Sequence, residues 1–242
     1  MSGWKFIVEA KCSSRTNMER DLSLFSEVRR GRLEGFFRLY DWDEPAVTTG
    51  HHQKHFSLFD TSLTLPIIPR PTGGGAVLHE HDITFSLGVP ETGAFSRGIT
   101  ESYVRVSKIF ARVLQSTGLD VRMEGESSRF SPVCFARSAP VELVLQGRKI
   151  MGLALLRSEG YLLFQGVLPL HVDTSLAGRV FGPEQAGNSL GILDMMPDFR
   201  AEFFIECLVE AFASGMKSPL PLERHQYDTN RHHRDEGKIY TG

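Results

Sequence analysis

The sequence predicts an α+β protein, on three observations. Short segments rich in aromatic and β-branched residues recur along the chain, among them Phe36-Phe-Arg-Leu-Tyr-Asp-Trp and Tyr161-Leu-Leu-Phe-Gln-Gly-Val. Such residues suit a pleated, half-buried surface. Between these segments lie stretches with apolar residues three and four apart, the spacing of one helical face. Twelve prolines and 23 glycines supply the turns that a strand-rich chain needs. A length of 242 residues suffices for one well-buried domain with a small appendage. We place the domain at residues 1–216 and a charged, loosely ordered tail at 217–242.

Trp4-Lys-Phe-Ile-Val-Glu-Ala alternates as an opening strand. A helix follows, capped by Thr16 or Asn17, with Met18, Leu22, Phe25 and Val28 on one face, and stops near Gly31. Phe36 to Trp42 and Pro45 to Gly50 read as strands, and Leu65 to Arg70 as an edge strand interrupted by prolines. Ala76-Val-Leu-His and Asp82-Ile-Thr-Phe-Ser-Leu read as a further strand pair. Tyr103, Val106, Ile109, Phe110, Val113 and Leu114 predict a helix from about Ile99 to Thr117, ended by Gly118. Leu119 to Met123 is a short strand. Val141 to Leu156 is a hairpin turning at Gln146-Gly147, and Tyr161 to Leu170 is another strand. A glycine- and proline-rich region runs through Gly191. Asp198 to Ala213 forms a helix with Phe203, Phe204, Cys207, Leu208, Ala211 and Phe212 inward.

A net charge of −2 argues against general nucleic-acid affinity, which requires a basic surface. The N-terminus does not resemble a signal peptide, and no apolar run is long enough to span a bilayer. Cys12, Cys134 and Cys207 are too few and too scattered for a disulfide framework or a zinc site, so a cytoplasmic setting is expected. His51, His52 and His55 lack a local carboxylate or cysteine partner, and read as a polar turn rather than a metal site.

The most informative stretch is Arg70-Pro-Thr-Gly-Gly-Gly-Ala-Val-Leu-His79. Three consecutive glycines between strands carry a high entropic cost, which is tolerable where backbone N–H groups must approach a ligand. Arg70 supplies a permanently charged fork suited to carboxylate or phosphate. His79, four residues past the glycines, is placed to polarise a carbonyl, to accept a proton, or simply to anchor the loop. No Gly-Lys-Ser/Thr follows the glycines and no helix starts directly after them, which excludes a nucleotide-hydrolase phosphate loop and a dinucleotide fingerprint.

Several blocks occur together and in order over roughly residues 4 to 170: Asn17-Met-Glu-Arg-Asp21, Arg38 to Pro45, Thr49-Gly-His-His-Gln53, Arg70 to His79 with Asp82-Ile-Thr-Phe-Ser86, and Gly147-Arg-Lys-Ile150. In these the chain resembles the catalytic domain shared by lipoate–protein ligases and octanoyltransferases and, more distantly, biotin–protein ligases. That resemblance implies a mixed, largely antiparallel sheet with packed helices, of the class II-synthetase and biotin-ligase type. It implies a reaction in which an octanoyl or lipoyl group is attached to a lysine of a lipoyl carrier domain, such as that of a 2-oxoacid dehydrogenase E2 or a glycine cleavage H protein.

Cys134-Phe, ahead of the lysine hairpin, is similar to octanoyltransferases that carry their nucleophile in that loop. Cys134 would form an acyl-enzyme from an acyl carrier protein thioester, with Lys149 stabilising the acyl carbonyl and no cofactor required. Gly73, Gly74, Gly75, Ala76 and Gly152 would line the acyl slot, with Arg70 and His79 beside it. The alternatives are an ATP- and Mg²⁺-dependent ligase acting on free lipoate through an acyl adenylate, and a non-catalytic carrier-binding relative. Two departures from the family pattern, Gly152-Leu-Ala-Leu155 and Gln165-Gly-Val167, replace polar groups expected near the acyl site.

Overall fold

The computed structural model describes residues 3–53, 55–125, 141–186, 190–216 and 222–224. In chain order the first half contains β1 (Trp4–Val8), α1 (Ser14–Arg29), β2 (Gly35–Tyr40), β3 (Ala46–Thr49), β4 (Ile67–Pro69), β5 (Val77–His79), β6 (His81–Pro90) and α2 (Ile99–Ser116). The second half contains β7 (Arg122–Gly125), β8 (Val141–Leu145), β9 (Arg148–Lys149), β10 (Gly152–Ser158) and β11 (Tyr161–His171). It closes with α3 (Thr174–Phe181), α4 (Pro183–Ala186), α5 (Ile192–Met195), α6 (Ala201–Gly215) and β12 (Leu222–Arg224).

The described strands form a six-stranded sheet in the order β10-β11-β6-β2-β1-β12 and two smaller sheets, β4-β3-β5 and β7-β8-β9. Only β1 in the large sheet makes parallel pairs, with β2 and β12, so the sheet is mixed and largely antiparallel, as expected. β12 comes from the stretch predicted to be a loose tail; the rest of 217–242 lies outside the described residues.

One face of this sheet carries Phe37, Leu39, Phe85, Leu87 and Phe164, packed by Phe110 of α2 and by Phe204 and Phe212 of α6. Phe37 and Phe212 stack with ring centroids 4.0 Å apart, and the Phe110 ring lies 4.4 Å from Phe85. Gly166 on β11 leaves room for this packing, because a Cβ there would come within 2.3 Å of the Phe85 ring. α1 covers the opposite face, where Phe25 and Val28 meet Phe36 and Leu163. The central strands are thus buried on both sides, which explains their near-continuous apolar runs.

Several elements differ from the sequence expectation. α1 begins at Ser14 and is capped by the Ser13 hydroxyl, which accepts the Thr16 N–H at 3.3 Å. Its inward face carries Asp21 where Leu22 was expected, and Leu22 is exposed, because Asp21 has buried polar partners. β5 and β6 do not pair with each other; β5 joins β3, whereas β6 lies between β11 and β2. The hairpin at Gln146-Gly147 forms with both turn residues at positive φ, as a tight two-residue turn requires. Its second arm then breaks after Lys149, so that β9 stays with β8 while β10 crosses to the large sheet. In α6, Ile205 and Val209 face inward and Phe203 is exposed. The region before Gly191 holds α3, whose cap Asp173 accepts the N–H groups of Ser175 and Leu176 at 2.8 and 3.0 Å.

Candidate active site

α1 and the β4-β3-β5 sheet both lie against the same face of the large sheet, and a partly open, mainly apolar pocket lies between them. Thr84, Gly152, Leu153, Ala154, Gln165, Gly166 and Val167 come from the large sheet, and Thr48, Arg70, Val77 and His79 from the opposite wall. Met18, Tyr40 and Trp42 complete the lining.

The polar side chains lining this pocket are turned towards one another. Asp21, fully buried, accepts four hydrogen bonds: from Arg38 and Ser86 at 2.6 Å each on Oδ1, and from Tyr40 at 3.0 Å and Gln165 at 2.7 Å on Oδ2. Arg38 also donates to Glu9, to the Asn17 carbonyl and to the Asn17 side chain. Burial would push the Arg38 guanidinium down, but the adjacent Asp21 and Glu9 carboxylates leave it above its ordinary value. Burial, reinforced by Asp21, pushes the Tyr40 hydroxyl well above the usual phenol range, so it stays protonated and donating.

A second chain holds the other wall. Trp42 Nε1 donates to Thr84 Oγ1 at 2.8 Å, and Thr84 donates to Asp82 at 2.5 Å. His79 stacks on Trp42 at 4.0 Å, with Nδ1 3.0 Å from Asp82 and Nε2 2.9 Å from the Thr48 hydroxyl. A carboxylate only accepts, so Nδ1 carries a proton towards Asp82, while Nε2 and the Thr48 hydroxyl share a hydrogen bond. His79 is therefore the anchor of the loop rather than a group aimed at the cavity.

Arg70 also points inward to its own loop. One amino group donates to the carbonyls of Gly73 and Gly75 at 2.6 and 2.8 Å, and the other to the Thr48 carbonyl at 3.2 Å. Gly74 has φ +98°, and a Cβ there would lie 2.6 Å from the Arg70 guanidinium, whereas Gly73 has open space around it. The guanidinium thus shapes the glycine loop. Thr72 ties the same loop to the large sheet by donating to Gln165 Oε1 at 2.8 Å.

Arg70, His79 and Gly152 line one pocket; Gly73, Gly74 and Gly75, expected in its lining, stand behind Arg70, which holds the Gly73 and Gly75 carbonyls. Ala76 faces the other way, into a cluster with Val47, Leu58 and Val180. Lys149 stands three residues before Gly152, at the end of β9, with its side chain 8% exposed and its ammonium 3.1 Å from Glu142 Oε1. Val144 is paired with Lys149 across the hairpin, which puts Glu142 in the diagonal position on the same face. Cys134 lies outside the described residues. The sequence marked Gln165 only as a departure from the family pattern, Met18 only as part of a helix face and Thr72 only as part of the glycine stretch; none of the three was named as a site residue. A hydrogen-bonding side chain inside the otherwise apolar strand of Gln165 was the available signal.

Among the described residues no group of three or more His, Cys, Asp or Glu side chains is arranged to hold a metal, and His51, His52 and His55 are exposed around the turn after β3.

Residues 13–213 match the family model for the lipoyl protein ligase A/B catalytic domain. The octanoyltransferase LipM of Carboxydothermus hydrogenoformans is 33% identical over 187 residues, covering 74% of this chain and 70% of the relative. LipM of Lysinibacillus sphaericus is 31% identical over 252 residues, covering 92% and 89%. Among solved structures, a T. acidophilum protein with bound lipoic acid superimposes with a TM-score of 0.72 at 20% identity, covering 93% of this chain and 90% of that one. A lipoate-protein ligase A bound with ATP gives 0.68 at 19% identity, covering 96% and 92%. Together with the fold and the glycine-loop pocket, the match over residues 13–213 shows that the chain belongs to the lipoyl protein ligase A/B catalytic-domain family.

Proposed function

We propose that this protein is an acyltransferase that moves an octanoyl group from a carrier thioester to a lysine of a lipoyl carrier domain. The observation that carries this reading is the condition of the pocket's polar atoms. Tyr40, Trp42, Thr48, Arg70, His79, Thr84 and Gln165 all hydrogen-bond within the protein, so the cavity presents mostly hydrocarbon and backbone. Such a wall suits an alkyl tail. Burying about seven methylenes at about 0.8 kcal/mol each supplies several kcal/mol to fix its orientation.

In the reaction, the Cys134 thiolate attacks the thioester carbonyl, a new C–S bond forms and the carrier thiol leaves. The neutral amine of the target lysine then attacks the acyl-enzyme, an amide forms, and the Cys134 thiolate departs while the amine's proton passes to solvent or a base. Lys149 stabilises the negative charge that develops on the carbonyl oxygen in both steps. The half-buried hairpin holds its ammonium at a defined place beside Glu142. The relatives named octanoyltransferase favour a thioester donor, and a T. acidophilum lipoate protein ligase has been described with its E2 lipoyl domain, which supports a domain of that type as acceptor.

The test combines the purified protein and a lipoyl domain with either octanoyl-carrier thioester or octanoate plus ATP, and weighs the product. Octanoylation from the thioester alone is expected, lost in both Cys134→Ala and Lys149→Ala. Modification that requires ATP and ignores Cys134 would overturn the reading.

A further inference from the structure

The acyl slot has an inner end, and the structure assigns it to one side chain: we infer that Met18 is the stop that sets the length and bulk of the acyl tail. This inference rests on the alkyl-slot reading above.

Strand register gives the direction of the slot. Gly152 pairs with Val167, and Ala154 with Gln165. Lys149 precedes Gly152 in the chain, and the Ala154–Gln165 pair lies one two-residue step, about 7 Å, farther along β10. An acyl group whose carbonyl sits near Lys149 therefore runs its tail towards Gln165. There the slot closes on Met18, which α1 contributes to the lining and which is 6% exposed.

Met18 stands against a rigid backing. The Gln165 amide nitrogen lies 3.5 Å from the Met18 sulfur and donates its other hydrogen to Asp21 at 2.7 Å, while its oxygen accepts from Thr72. Gln165 cannot swing aside without unmaking bonds to both α1 and the glycine loop. Tyr40 and Trp42, the neighbouring walls, are likewise held by hydrogen bonds to Asp21 and Thr84. Met18 is unbranched and bonded only through a weak sulfur contact, so its length is the adjustable dimension of the cavity. Octanoyl and lipoyl groups differ only at the tail, and the closed end favours the slimmer one.

Isothermal titration of hexanoate, octanoate, decanoate, dodecanoate and lipoate with wild type, Met18→Ala, Met18→Val and Leu22→Ala reads the stop directly. Met18→Val also shortens the side chain but keeps more apolar bulk than alanine, and serves if the alanine variant does not fold. Leu22 lies on the exposed side of α1 and controls for helix destabilisation. In wild type, affinity should rise to octanoate and fall at decanoate. In the Met18 variants the optimum should move to decanoate or longer, with about a tenfold gain for two more buried methylenes, and lipoate should gain relative to octanoate. Leu22→Ala should keep the wild-type order. An unchanged order in folded Met18 variants, or the absence of any fatty-acid binding by wild type, overturns the inference. Transfer assays with the matching thioesters separate the two ideas. Length-selective binding without transfer removes the transferase reading and leaves the stop. Transfer with an order indifferent to Met18 does the reverse.

Discussion

Asp21→Asn removes one charge from the interior while conserving side-chain volume, so it leaves no cavity and isolates the polar network. All four partners of Asp21 donate to it: Arg38, Ser86, Tyr40 and Gln165. An asparagine amide offers one acceptor oxygen and two unwanted hydrogens. Ser86 and Tyr40 can turn their hydroxyls to accept, and Gln165 can exchange its amide ends if Thr72 also reverses. Arg38 has no such freedom. It is 0% exposed and keeps Glu9 and Asn17 but loses its fully buried carboxylate. Breaking a buried pair costs about 3–5 kcal/mol, and the surviving Glu9 contact puts the expectation near the lower end, about 3 kcal/mol. That is a large part of the 5–15 kcal/mol typical of a domain. Urea unfolding followed by circular dichroism measures it as a lowered midpoint at unchanged slope. A loss below about 1 kcal/mol would refute the view that this network is a coupled, fully satisfied unit.

Two other outcomes follow from the geometry. Gly74→Ala places a methyl group at φ +98° and 2.6 Å from the Arg70 guanidinium, so it should destabilise by at least about 1 kcal/mol and weaken octanoate binding, whereas Gly73→Ala should be tolerated; equal melting temperatures for the two would contradict the assigned role of Arg70. Tyr40 should remain protonated in the folded protein far above pH 10, because burial and Asp21 both oppose its ionisation. The unfolded chain releases that proton near pH 10, so the contribution is full below that value and is lost as pH rises beyond it. Alkaline titration of absorbance at 295 nm should leave at least one of the five tyrosines silent until unfolding, and reversible ionisation of all five in folded protein would count against the burial argument.

Regular amphipathic elements were legible. α2 follows from apolar spacing and its stop from Gly118, and the tight turn is signalled by Gly147, which accepts positive φ. Long-range pairing was not legible. β5 and β6 are separated by one residue and look like partners, but which sheet each joins is decided by where α1 and the long β11 pack. α3 was missed although Asp173-Thr-Ser is a serviceable helix start, because the glycines and prolines beyond it dominated the reading. At the site, residue types were readable and their directions were not. Arg70 looks like an anion fork until its loop carbonyls are seen within 2.8 Å, and His79 looks like an acid–base group until Asp82 and Thr48 occupy both ring nitrogens. Asp21, Arg38 and Gln165 lie 17 to 144 residues apart, so no local pattern betrays their contact.

Gly50 sits back to back with the glycine loop: a methyl group on it would lie 2.1 Å from the Gly74 carbonyl oxygen. The two positions, 24 residues apart, therefore share a single allowance of space. Space for a side chain is open at Gly73, whereas a change at Gly50 or Gly74 must move two segments at once. Anyone grafting new selectivity onto this scaffold should randomise the first glycine of the triplet and treat the other pair as a joint, inherited together or lost together.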